Sequence, residues 1–212
     1  MMHINRFAAV LVSGLFLVTA EAIAADRPHY YLGADLGYSF VDLDDAERDL
    51  RAIADGTELR VSSDDDSFAF MLSAGAAITR HLALEFNYFD LGEHEARLRS
   101  GDATVRTDTM ETSGYGARLI ATLPVAERWQ LDFSAGLAYL KTRRDVDAVT
   151  EEDSRRETEN QGVPNVGVSG RYHVTRDWSI RGSLMHFSNV GDSDTTGEGD
   201  IQLATLGLLY RF

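Results

Sequence analysis

The chain has no cysteine and only three prolines in 212 residues. Without cysteine it has neither a disulfide framework nor a thiolate metal site. Positive charge is also scarce: 20 lysines and arginines face 34 acids, for a net charge of −14. Such a chain is repelled by nucleic acid, which is excluded as a partner. His29, His81, His94 and His173 show no metal-ligand spacing, and no glycine-rich phosphate loop occurs. No cofactor or metal is expected. Beyond the first 24 residues, nothing approaches the ~18 uninterrupted apolar residues of a membrane-spanning helix.

The amino terminus carries the one sustained apolar run. Met1 to Arg6 is weakly positive, Phe7 to Ala20 is nearly all apolar, and Ala22-Ile23-Ala24 offers small residues for a signal peptidase. Residues 1–24 therefore read as a signal peptide, with cleavage before Ala25 and Asp26 as the next candidate. The mature chain, 25–212, reads as one domain. An exported chain with no helical anchor is periplasmic, secreted, or an outer-membrane barrel.

Period-two patterning chooses among these. In the last segment Ala204, Leu206, Leu208, Tyr210 and Phe212 share one face; Leu203, Thr205, Gly207, Leu209 and Arg211 lie on the other, small or polar but for the two leucines. Chain ends usually fray, yet this one is built as a strand. A transmembrane barrel requires that, because its last strand must pair with its first. Tyr210 and Phe212 end that closing strand.

The chain also repeats. His81, Trp129 and Trp178 close similar polar clusters 48 and 49 residues apart, and one further period back lies Tyr30-Tyr31. Four units of strand, long polar loop and returning strand predict eight strands. The predicted strands are 30–40, 68–78, 82–88, 112–123, 129–139, 166–174, 178–184 and 204–212. The clusters become tight turns at one rim, with long loops at the other. Tyr30, Tyr88, Trp129, Tyr139, Trp178 and Tyr210 lie near the ends of apolar faces, where a lipid interface places aromatics. The expected fold class is all-β: an eight-stranded antiparallel up-and-down transmembrane barrel. It is placed in the bacterial outer membrane, among outer-membrane lipid and lipopolysaccharide.

The opposite faces carry Asp35, Glu85, Asp132, Arg118, Arg171 and Arg181. Three acids meet three bases in a lumen that eight strands leave just wide enough for side chains. Unpaired charge there is costly, so these six are expected to pair into a plug. The alternative is a narrow ion-conducting pore. Gly33, Gly37, Gly75, Gly136 and Gly207 read as inward positions that relieve crowding. The remaining acid is concentrated in loops. Asp42 to Asp66 holds ten acids and three arginines, and Asp145 to Glu159 is almost wholly charged. Both read as solvated segments. Asp64-Asp65-Asp66 lacks the spacing of a calcium loop.

The segments Tyr30–Phe40, Leu82–Glu93, Gly162–Phe187 and Gly197–Phe212, in that order and spacing, resemble the OmpA-like outer-membrane β-barrel superfamily. The resemblance implies insertion by the barrel assembly machinery through a terminal aromatic such as Phe212. Many relatives carry a peptidoglycan-binding domain after the barrel; the chain stops at Phe212 and reads as a barrel-only member. Locally, His186-Phe187-Ser188-Asn189 resembles the His-x-Ser-Asn motif of the lipid A 3-O-deacylases. That resemblance implies His186 as base and Ser188 as nucleophile. Asp200 would orient the histidine, where the family uses glutamate, and Glu198 lies two residues earlier. The proline-asparagine-glycine segment that usually follows the motif is missing. Phe187 to Gly191 also occupies the repeat position of Phe89-Asp90-Leu91-Gly92, as an ordinary strand end would. The expectation is therefore a non-enzymatic barrel with a structural or surface role, an unknown surface ligand, and deacylation as the alternative.

Overall fold

The computed structural model describes residues 29–41, 59–64, 66–100, 103–148, 155–190 and 199–212. The expected signal peptide, most of the first acidic loop and Glu198 lie outside them. Among the described residues there are nine strand segments: β1 (His29–Val41), β2 (Leu59–Asp64), β3 (Asp66–Ala77), β4 (Leu82–Ser100), β5 (Ala103–Pro124), β6 (Trp129–Ala148), β7 (Arg155–His173), β8 (Trp178–Val190) and β9 (Gly199–Arg211).

Eight of these close a barrel. Around the wall the order is β4-β3-β1-β9-β8-β7-β6-β5, and β5 pairs back to β4. All of these pairings are antiparallel. β2 extends beyond the wall and pairs only with the far half of β4. Closure is made by the carboxyl-terminal strand, with Tyr210 opposite Leu32 and Leu208 opposite Ala34. The Phe212 N–H then donates to the Tyr30 carbonyl at 3.0 Å. The last aromatic thus completes the seam between first and last strands.

The repeat becomes one turn built three times. The N–H of Ile78, Val125 and Val174 donates to the carbonyl four residues on, at Leu82, Trp129 and Trp178, at 2.8, 3.0 and 3.0 Å. In two of them a threonine hydroxyl accepts the next free backbone donors: Thr79 from His81 and Leu82, Thr175 from Asp177 and Trp178. Alanine replaces threonine in the middle turn, at Ala126.

Outside, the wall is apolar: Leu36, Phe86, Leu119, Leu137, Val166, Leu184 and Leu206 are all half exposed or more. Only lipid makes that stable. Trp129 and Tyr139 lie ten residue steps apart on β6, both rings exposed. At ~3.3 Å per residue and ~40° tilt this is about 25 Å, the height of an outer-membrane apolar band. Aromatic pairs flank the band. Trp129–Tyr172 and Trp178–Tyr210, each 4.9 Å between centroids, lie toward the turns; Tyr88–Tyr115, at 5.4 Å, lies toward the other rim.

The expected strands stop short on the loop side. The third and fifth run on to Ser100 and Ala148, not 88 and 139, and the fourth and sixth begin at Ala103 and Arg155, not at 112 and 166. The charged stretch Asp145 to Glu159 is accordingly not all loop: residues 145–148 continue β6 and 155–159 belong to β7. The first acidic segment, 42–66, likewise contains β2 and the first residue of β3. β4 to β7 run 19 to 22 residues, against 13 for β1, β8 and β9. A tilted strand crosses the bilayer in ~9–11 residues. The excess continues the ladder into water, where both faces can be polar and the alternation that marks a strand is lost.

Candidate functional site

The inward faces stack into layers, and the middle layer is ionic. Glu85, fully buried, is its hub. It accepts from Arg118 Nε at 3.0 Å, Arg181 Nη1 at 2.9 Å, Tyr31 Oη at 2.8 Å and Asn87 Nδ2 at 2.8 Å. Arg181 also donates to Asp35 through Nε at 3.0 Å and through Nη2, and to Ser73 Oγ at 3.1 Å. Arg171 and Asp132 form a separate pair, with Nη2 and Oδ2 2.7 Å apart. Thr122 donates to the other Asp132 oxygen at 2.6 Å. All six inward charges named from the sequence therefore lie in the lumen, and each lies against an opposite charge.

Two glycines make the network possible. Gly207 is opposite Arg181 on one side and Asp35 on the other. A Cβ there would be 2.5 Å from Asp35 Oδ1, so the guanidinium reaches the carboxylate only over a residue without a side chain. Gly75 separates Tyr31 from Glu85 in the same way. A Cβ at that position would collide with the Tyr31 ring.

The layer above departs from the expected inward face. Toward the loop rim the lumen holds a cluster of apolar side chains, among them Met71, Phe89, Leu91, Leu140, Val163, Phe187 and Leu203, with the buried polar side chains of Ser39, His94, Thr112 and Thr142 beside them. The Phe89 and Phe187 rings meet edge to face at 5.2 Å. The sequence does carry a signal for it: Met71, Leu140 and Phe187 make both faces of their strands apolar near one end. Arg118 Nη1 contacts Met185 Sδ at 2.9 Å where the two layers meet.

The His186 motif lies on the outer wall. His186 shares the lipid side with Leu184, and its Nε2 is 3.5 Å from Asp200 Oδ2. Asp200 Oδ1 accepts the Asn189 N–H at 3.1 Å. The ladder is irregular between Phe187 and Val190, and Asn189 has φ of 59°. Ser188 therefore leaves the regular alternation that would align it with His186. Among the described residues, no hydrogen bond joins the two. The corresponding segment on β4 has the same form: an irregularity between Asp90 and Glu93, with Gly92 at φ of 78°.

The model of the outer membrane protein beta-barrel domain matches residues 8–212. The chain belongs to this family. As a family member with a closed eight-stranded wall, the protein is an outer-membrane protein of OmpA-like architecture. Among solved structures, Neisserial surface protein A (NspA) is 16% identical with a TM-score of 0.55, over 86% of this chain and 97% of that one. A major outer membrane protein from Thermus thermophilus is 12% identical with a TM-score of 0.57, over 88% and 100%. OprG from Pseudomonas aeruginosa is 10% identical with a TM-score of 0.50, over 86% and 95%. At these identities the likeness is one of fold. No curated protein matches the sequence.

Proposed function

We propose that this barrel is a non-enzymatic envelope protein with a structural or surface-interaction role and a closed lumen. The supporting observation is the filling of the interior. The Asp35–Arg181–Glu85–Arg118 network spans the mid-lumen, and an apolar layer follows it. An ion crossing this path must break buried pairs and then shed its water among phenylalanines, both at high cost. The third reading, a narrow pore, is opposed by the same two layers. The surface role rests on β4 to β7, whose ladder runs past the membrane band and presents strand backbone and charge, such as the exposed Arg143–Glu111 pair, to the outside. Lipopolysaccharide and outer-membrane lipid are the immediate surroundings in this reading. The barrel assembly machinery acts through the Tyr210–Phe212 end.

The test is complementation. A deletion strain should become sensitive to detergent or chelator. Wild type and the His186→Ala/Ser188→Ala variant should restore resistance equally. Rescue by wild type alone would contradict a non-enzymatic role.

One observation favours the second reading, lipid A deacylation: Asp200 approaches the His186 ring, as the orienting acid of an acyl-transfer triad would. The bulge at Ser188–Asn189 and its twin at Asp90–Glu93 favour a repeated strand-end motif instead. Mass spectrometry of lipid A with and without the protein separates the two. No loss of a 3-linked acyl chain is expected.

A further inference from the structure

We infer that the short-turn mouth of the lumen is a binding site for a small oxyanion, phosphate in its simplest form. A cavity of about 150 Å³ opens there, below the ionic layer. Arg80 of the first turn, Arg171 of β7, Arg176 of the third turn and Arg211 of β9 line it, with His29 and His173. The barrel thus gathers into one mouth four guanidiniums that are scattered along the chain.

Among the described residues, no carboxylate side chain lines the cavity. Glu127 and Asp177 belong to turns on the same rim but are not part of its wall. Among the described residues, the acid side chain paired with the group is Asp132, which lies behind Arg171 and is already shared with Thr122. Arg171 retains donor capacity: its Nε is buried without a hydrogen-bond partner. Among the described residues, Arg80, Arg176 and Arg211 make no ion pair and no side-chain hydrogen bond. This contrasts with Arg118 and Arg181 deeper in the same lumen, whose guanidiniums are held by carboxylates.

Four like charges converging on a small cleft repel one another and focus a positive potential into it. In a chain of net charge −14, that excess is local. A bound oxyanion relieves the repulsion, and planar guanidinium forks match its geometry with paired hydrogen bonds. The volume limits the ligand. One water takes about 30 Å³ in the liquid, so the cavity holds an ion the size of phosphate with a few waters. Short turns mark the periplasmic rim of an outer-membrane barrel, so the anion comes from that side. Its source is free phosphate or the phosphate of a phospholipid headgroup in the inner leaflet. The ionic and apolar layers above make the cleft a blind end and not the start of a channel.

The test uses the full barrel folded in a maltoside detergent free of phosphate. Inorganic phosphate is titrated by calorimetry, and short-chain phosphatidylglycerol is titrated separately. Saturable binding of phosphate is expected. It should weaken roughly tenfold or more in Arg80→Gln/Arg176→Gln, which loses charge-assisted hydrogen bonds on exposed turns. Arg128→Gln, on the second turn but outside the cavity, should bind like the parent. A heat-modifiable gel shift shows that each variant is folded. Binding of the lipid without free phosphate would keep the site and assign the headgroup as its source. Absence of both, or equal binding by parent and double variant, would overturn the inference. So would an equal loss in Arg128→Gln.

Discussion

Replacing Arg181 with alanine should destabilise the barrel by about 3 kcal/mol, and the structure says where the cost falls. Arg181 is 1% exposed and holds both Asp35 and Glu85. Without it, Glu85 keeps Arg118, Tyr31 and Asn87. Asp35 keeps nothing: among the described residues its side chain has no other hydrogen-bond or ion-pair partner. Breaking a buried pair by removing one member costs ~3–5 kcal/mol, because the other charge is left unpaired. Water entering the vacated space from the turn-side mouth offsets part of this and puts the value at the low end. Arg118→Ala should cost clearly less, since Glu85 retains Arg181. Adding Asp35→Ala to Arg181→Ala should recover part of the loss by removing the orphaned carboxylate. Urea unfolding in lipid vesicles, followed by the fluorescence of the two tryptophans, reads these differences as midpoint shifts at constant slope. An Arg181→Ala barrel within ~0.5 kcal/mol of the parent, the scatter of an ordinary surface substitution, would refute this assignment of the cost. So would an Arg118→Ala barrel that loses as much.

Gly75→Ala should lose ~1–3 kcal/mol in the same assay, since its methyl group would meet the Tyr31 ring; an unchanged midpoint would mean that Tyr31 is free to move. Phe187→Ala removes a fully buried ring from the apolar layer and should cost ~3–5 kcal/mol, whereas a loss under about 1 kcal/mol would show that the layer is loosely packed. Deleting Phe212 together with Tyr210→Ala should leave protein unassembled in the periplasm, as judged by fractionation. Normal outer-membrane yield would contradict the role of the closing strand.

Legibility in the sequence follows the lipid. Wherever one face of a strand touches the bilayer, strict alternation marks it. Leu32-Gly33-Ala34-Asp35-Leu36 is an example, and the inward position of Asp35 follows at once. Past the bilayer that constraint ends, so the outer parts of β4 to β7 read as loops although their backbones remain paired. The identities of the inward charges are readable from alternation alone. Their partners are not, because pairing depends on strand stagger: Arg171 and Arg181 are directly opposite each other, yet they turn to different acids. The apolar layer escapes a reading that expects every inward face to be small or polar. The Thr79 and Thr175 turns are found by repeat spacing, which survives even where alanine takes the threonine position.

The closed lumen is the centre of the account, and single-channel recording in planar lipid bilayers tests it most directly. Wild-type protein at ordinary salt should give a silent membrane with no steady openings. Large, stable unitary currents from correctly folded barrels would contradict the paired and apolar layers and make the protein a pore.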